Sequence, residues 1–363
     1  MWHKREMVVH ESDPYNAEPP RNRLLAPLTD ADSFYVRNHG PVPELSPDTW
    51  SVAVTGLVSE PVTLSLGQLQ ARFAQHTVLA TMQCAGNRRS GFLPVRDIPG
   101  EDPWGPGATS TARWTGVRLG DVLRAAGVHD AARHVEFAAP EVSQLADPPQ
   151  PYGGSVPLGK ALADEVLLAW GMNGAPLPPV HGGPVRVVVP GYVGARSVKW
   201  VRRITVRADP SENYFQATAY RVLAPEEDPD AAGPGDGISL GPVALNCDIL
   251  SPEPDERVGT GPVLVRGYAH AGDDRRVARV DVSGDGGRTW CRADLDAAPS
   301  PWAWQHWRAT VELAGPGPHT LLARAWDSTG ACQPESAAAL WNPKGYVNNS
   351  WARVPVNPAA AAD

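Results

Sequence analysis

The chain has 363 residues and a formal net charge of −8, with 32 Lys and Arg against 40 Asp and Glu. At ~150 residues per domain this length predicts two domains or three, and a hydrophobic fraction of 42% beside 20% charged residues suits packed cores rather than a disordered chain. The acidic balance argues against general nucleic-acid binding, and four scattered cysteines (Cys84, Cys247, Cys291 and Cys332) with no CxxC pair exclude a disulfide scaffold, a zinc ribbon and a CxxCH haem attachment.

In chain order, Met1-Trp2-His3-Lys4-Arg5-Glu6 places two basic residues with no apolar run behind them. No secretory signal is therefore expected, and Lys4-Arg5 is not a twin arginine. No stretch approaches the ~20 apolar residues a bilayer span needs. The expectation is a cytoplasmic protein with no membrane and no nucleic-acid partner. Residues 1–30, with Pro14, Pro19, Pro20 and Pro27, read as an extended arm. Residues 31–223 have an interleaved α+β texture. Val52, Val54 and Leu57 suggest a short strand, Leu64 to Phe73 a helix with Ser65 near its start, and His76 to Gln83 a β-rich run ending at Cys84. Leu119, Val122, Leu123 and Ala126 recur at helical spacing before Gly127, the pattern of an amphipathic helix with a glycine stop. Val135–Phe137, Val166–Trp170, Val185–Val189 and Lys199–Val206 read as strands, and Asn173-Gly174 as a tight turn. Residues 224–240 are acidic and rich in Pro and Gly, a linker composition. From 241 to 363 the texture is all-β, with short runs at Val263–Tyr268, Val277–Val282, Trp304–Leu313 and Leu321–Trp326 and a hairpin signal at Asp285-Gly286-Gly287. Strands at this spacing over ~120 residues suggest an immunoglobulin-like sandwich, with Trp302, Trp304, Trp307 and the three remaining cysteines in its core.

Chemistry concentrates in three runs. In Met82-Gln83-Cys84-Ala85-Gly86-Asn87-Arg88-Arg89-Ser90 a cysteine meets two arginines, and cationic neighbours favour the thiolate that binds metals or attacks electrophiles. A buried structural cysteine is the alternative, and no local signature supplies the His and acid a nucleophile wants. Phe34-Tyr35-Val36-Arg37-Asn38-His39 is an aromatic strand ending in polar residues. His181 to Trp200 is a Gly-rich stretch carrying Arg186, Arg196 and Lys199, in which backbone N–H groups can approach an anion. It contains neither a P-loop nor a dinucleotide-binding GxGxxG. Arg37, Arg88, Arg89, Arg186, Arg196 and Lys199, gathered in one cleft of an acidic protein, would select a small anion; scattered, they would be solvated surface charges.

Together these runs resemble the molybdenum-cofactor domain of sulfite oxidases. The resemblance includes Phe34–His39, Gln83–Arg89, Gly107–Trp114, Tyr152–Leu158 and His181–Trp200, all in order. Val282–Trp290 and Trp341–Trp351 resemble that family's dimerisation domain. The resemblance implies an α+β fold, a mixed α/β molybdopterin domain followed by the sandwich, and a homodimer. It implies oxidation of sulfite to sulfate at molybdenum-molybdopterin. The sequence shows no His-Pro-Gly-Gly haem-binding segment and no flavin or cytochrome module, so neither haem nor flavin is expected, and electrons are expected to leave to an external acceptor, either a cytochrome or dioxygen. Cys84 would be the metal ligand. Tyr35, Val36, Arg37, Asn38, His39, Glu141, His181, Arg186, Ser197, Val198 and Lys199 would hold the cofactor, with Glu141 where many relatives have Asp. Arg37, Arg89, Trp104, Tyr152 and Lys344 would line the anion pocket. Sulfite oxidases of animals and plants have Arg at the position of Lys344 and assimilatory nitrate reductases have Met; Lys keeps the charge and loses the bidentate fork. Relatives often carry a Lys where this chain has Ile98-Pro99-Gly100. The alternatives are a relative acting on another sulfur or nitrogen oxyanion, such as a sulfane dehydrogenase or a sulfoxide or nitrate reductase, and a cofactor-free binding protein.

Overall fold

Leu119, Val122, Leu123 and Ala126 share one buried face of the helix Leu119–Ala126 in the computed structural model, which describes residue 4 and residues 6–359. Gly127 stops that helix at φ 71°, a left-handed value that costs glycine nothing. Truncating Leu123 to Ala would remove ~2–5 kcal/mol. The helix expected from Leu64 begins later, at Leu66, and runs to Arg72. Leu64 instead belongs to the strand Val62–Ser65, which pairs with Ser51–Gly56. Ser65 marks the switch: its Oγ accepts from Gln68 N at 3.2 Å, and its own N–H donates to Gln68 Oε1 at 2.9 Å. Such a reciprocal cap satisfies two otherwise unpaired donors.

The first unit is mostly strand with few helices, interleaved along the chain. One sheet orders Ala175–Pro176, Leu167–Met172, Thr109–Arg118 and Gln75–Gln83, with Arg186–Val188 also paired to Leu167–Met172. A second orders Val62–Ser65, Ser51–Gly56, Arg203–Arg207, His134–Ser143 and Gln150–Pro157. The strand expected from Lys199 starts only at Arg203; residues 199–202 remain irregular, with Trp200 at φ 52°. That irregular stretch turns Lys199 toward the cleft described below.

The second unit packs two sheets over a core of Cys247, Val265, Val280, Trp307, Leu321 and Val354, among others. One holds Asn246–Ser251, Gly261–His270, Gln305–Leu313 and Asp294–Leu295; the other holds Arg257–Gly259, Ala352–Ala359, His319–Asp327, Val277–Ser283 and Cys291–Arg292. Cys247 is buried as expected, whereas Cys291 is half-buried and Cys332 exposed. Trp304 packs outside this core, with Tyr268 and Leu24.

Two segments cross between the units. In the arm, of which Met1, Trp2, His3 and Arg5 lie outside the described residues, the extended strands Val8–Ser12 and Tyr15–Glu18 pair as a hairpin. The second strand is buried, and Ala17 bonds Val36 in both directions at 3.0 and 2.8 Å. Residues 341–350 return from the sandwich to the first unit, burying Tyr346 in its core and bonding Val347 N to Ala85 O at 3.0 Å. Segments distant in sequence thus surround the loop after Cys84.

Candidate active site

The strand Gln75–Gln83 ends at Cys84, whose N–H donates to Ala108 O at 2.8 Å. The chain then turns through a left-handed Arg88, φ 64°, and this sends the two neighbouring arginines opposite ways. Arg88 docks the sandwich, with Nε 3.2 Å from Asp248 Oδ2 and Nη1 donating to Asn246 Oδ1 at 3.0 Å and Ser350 O at 2.8 Å. Arg89 folds back over Gly86, where any Cβ would lie 2.7 Å from the guanidinium carbon. Arg196 is also a latch rather than a ligand, donating to Leu240 O and Phe215 O.

Cys84 lines a cleft open to solvent. The expected cationic surroundings are present but outweighed: burial pushes the thiol up, while Arg89 and Arg37 pull it down. A bound soft metal would deprotonate it outright. Among the described residues no group of three or more His, Cys, Asp or Glu could hold a metal ion. A metal at Cys84 would therefore take its remaining ligands from a cofactor or solvent.

Tyr35, Val36, Arg37, Asn38, His39, Glu141, His181, Arg186, Ser197 and Lys199 share the cleft wall with Cys84. Lys199 Nζ lies 4.3 Å from the Trp200 ring and donates to Asn38 Oδ1 and to Val180 O. Burial, then Arg186, holds its amine well below the ordinary lysine range. Arg186 donates to His181 O at 2.8 Å and Ser197 O at 2.7 Å, and burial lowers it to about 10. His181 Nε2 is 2.7 Å from Lys4 Nζ; burial, then Lys4, keeps the ring neutral. Glu141 is raised to about 7 by burial, and its Oε2 is buried without a partner. Val198 faces the hydrophobic core, and its carbonyl accepts from Val187 N.

A second group of cations meets this wall from the side of residues 341–350. Arg37 Nε stands 4.0 Å from Asp102 Oδ2. Arg89 donates to Lys344 O at 3.1 Å and Asp102 O at 2.8 Å, and its Nη2 is 3.1 Å from Glu101 Oε2. Lys344 Nζ is 3.9 Å from Glu101 Oε1. Arg89 and Lys344 lie beside the cleft rather than on its wall. Trp104 is fully buried next to His10, at 4.6 Å between ring centroids. Tyr152 is on the wall, but its hydroxyl donates to Ala195 O at 2.8 Å and its ring stacks on His39.

The residue that sequence reasoning passed over is Tyr220. It lines the cleft, its Oη is 2.7 Å from His39 Nε2, and its ring stacks on Tyr346, which in turn lies under Arg89. Burial pushes its hydroxyl above the usual tyrosine range, against the pull of Arg37. Its only signal in the sequence is an aromatic residue just ahead of the acidic linker.

These residues fit a molybdopterin. Buried cations without carboxylate partners suit a phosphate, an unpartnered carboxylate oxygen suits ring N–H donors, and a single thiolate suits a metal that arrives with its own sulfur ligands.

Residues 39–215 match the family described as the oxidoreductase molybdopterin binding domain, and residues 241–359 the Mo-co oxidoreductase dimerisation domain. The chain is 43% identical over 352 residues to the sulfite oxidase of Gallus gallus, covering 95% of this chain and 76% of that protein. It is 36% identical over 370 residues to the sulfite oxidase of Arabidopsis thaliana, covering 96% of this chain and 93% of that one. The solved structure of the sulfane dehydrogenase SoxCD from Paracoccus pantotrophus superposes with a TM-score of 0.81 at 27% identity, over 99% of this chain and 90% of that chain.

Proposed function

The chain belongs to the sulfite oxidase family of molybdenum oxidoreductases, and from that premise we propose that it oxidises sulfite to sulfate and passes two electrons to an external acceptor. Sulfite and water give sulfate, two protons and two electrons. The observation that carries this reading is one cleft that joins a buried cysteine thiol to a wall on which, among the described residues, Lys199 and Arg186 rest on carbonyls and an amide rather than in ion pairs. When bound, the molybdenum cofactor supplies two-electron redox and oxygen-atom chemistry.

The protein supplies attachment, charge and orientation. Cys84 ligates the metal. Arg186, Lys199, Asn38, His181 and Ser197 hold the phosphate and pterin end, with Glu141 taking ring N–H donors and Tyr35, Val36 and His39 closing the wall. Arg37, Arg89 and Lys344 attract the substrate anion and stabilise charge that develops on its oxygens. Tyr220 sets its hydroxyl beside His39, under the electrostatic pull of Arg37; it, rather than Tyr152, is positioned to donate to an oxyanion. Trp104 backs the loop that carries Asp102 and does not touch substrate. The dimerisation-domain match supports a two-fold homodimer through the sandwich, which we read as immunoglobulin-like.

The test is to purify holoenzyme, measure molybdenum per chain, and follow both absorption and acceptor reduction on adding sulfite. Sulfite-dependent reduction with metal present is expected. Turnover of sulfoxides with none on sulfite would reassign the substrate, and protein without molybdenum despite cofactor supply would favour a binding role.

A further inference from the structure

Two adjacent acids, Glu101 and Asp102, face all three cations assigned to the substrate. They sit on a loop without regular structure between Phe92 and Thr109. Glu101 is bridging: one carboxylate oxygen is 3.1 Å from Arg89 Nη2 and the other 3.9 Å from Lys344 Nζ. Asp102 Oδ2 is 4.0 Å from Arg37 Nε, and its carbonyl takes Arg89 Nη1. A carboxylate spanning a guanidinium and an ammonium presents the geometry that two oxygens of a tetrahedral oxyanion would present. Arg89 is buried, with its donors directed at Glu101 and at two backbone carbonyls, so a second anion reaches it only by sharing or replacing Glu101. The Glu101 and Lys344 side chains are 19% and 22% exposed, so the carboxylate has a path to solvent.

We propose that Glu101 is a resident counter-anion that competes with the substrate for Arg89 and Lys344, and so sets the affinity and charge selectivity of the pocket. This deepens the sulfite reading and rests on it for the identity of the anion. Competition and mere positioning predict opposite signs. A competitor removed leaves two cations for the incoming anion, and binding tightens. An orienting group removed lets Arg89 swing away, and binding weakens.

The experiment uses holoenzyme at fixed ionic strength, with sulfate and nitrate as inert probes measured by calorimetry and sulfite as substrate. Glu101→Gln is expected to tighten sulfate binding and lower KM for sulfite about three- to tenfold, the change falling on KM more than on kcat. The gain for the monoanion nitrate is smaller, about two- to threefold, because the interaction scales with ligand charge. In the Glu101→Gln, Lys344→Gln double variant at least half of the sulfate gain disappears. Glu101→Asp keeps the charge but shortens the bridge, and falls between wild type and Glu101→Gln; it serves if Glu101→Gln does not fold. Unchanged or weaker sulfate binding in Glu101→Gln, equal gains for sulfate and nitrate, or a full gain without Lys344 would each overturn the proposal. Sulfate binding needs no turnover. The expected pattern in protein that fails to oxidise sulfite would therefore uphold the role of Glu101 and defeat only the choice of substrate.

Discussion

The two ends of the cleft handle positive charge differently. At the cofactor end, Lys199 and Arg186 rest on carbonyls, Asn38 and the Trp200 and Trp114 rings, and neither makes an ion pair among the described residues. At the substrate end, Arg37, Arg89 and Lys344 each face Glu101 or Asp102. An uncompensated charge in the interior is costly, by several kcal/mol. A wall that tolerates two of them is built around a permanent anionic occupant. A pocket that sets two carboxylates of its own against three cations is largely compensated between turnovers, which suits an anion that comes and goes.

That contrast can be broken or sharpened at several points. The largest effect is expected where the ends meet: Cys84→Ser removes the soft ligand and should drop sulfite turnover to background while most cofactor stays bound by the phosphate end. Turnover near the wild-type rate, with molybdenum measured in the same sample, would break the assignment. Next, Lys199→Met should cut cofactor per purified chain about tenfold or more, because one of the charge-assisted contacts to the phosphate is gone. The apoprotein should respond the other way, melting a few degrees higher once a buried amine without an ion-pair partner is removed. A lower apoprotein melting temperature would show that Lys199 is compensated after all.

A smaller loss separates the two tyrosines. Tyr220→Phe should lower kcat/KM about tenfold or more, as expected for an oxyanion donor. Tyr152→Phe should cost about threefold or less, since its hydroxyl is spent on the Ala195 carbonyl. The reverse order in steady-state kinetics would move the donor to Tyr152. The smallest effect is a slope with pH. Burial lowers Lys4 to about 7, against Asp32, from an unfolded value of 10.5. Between these values the unfolded chain holds more protons, so apoprotein stability rises with pH and is lost as pH falls through about 7. Lys4→Met should flatten that rise in melting temperature. Equal slopes in the two proteins would show that Lys4 does not set this dependence.

Much of this was legible in the linear chain. Apolar spacing placed the helix Leu119–Ala126 and its stop at Gly127, and strand texture led into Cys84. Collinear motifs brought Tyr35, Arg37, His39, His181, Arg186 and Lys199 to one cleft. The misses share a cause. Lys199 reads as the start of a strand because local β character gives no sign of the left-handed Trp200 behind it. Arg88 and Arg89 looked alike, and one left-handed backbone angle sends them to different partners. Glu101 and Asp102 lie between Pro99-Gly100 and Pro103, and Tyr220 in an irregular turn after a short helix, where no repeat marks a residue as facing inward.

The sequence by itself determined which functional groups exist, where helices and strands begin to be favoured, and the family to which the chain is similar, because propensity and motif spacing are local properties. Tertiary structure alone decided which cations carry a counter-charge and which tyrosine hydroxyl is turned to the cleft. Those outcomes depend on distance and burial between residues more than a hundred positions apart, such as Arg89 and Lys344, and only packing sets them.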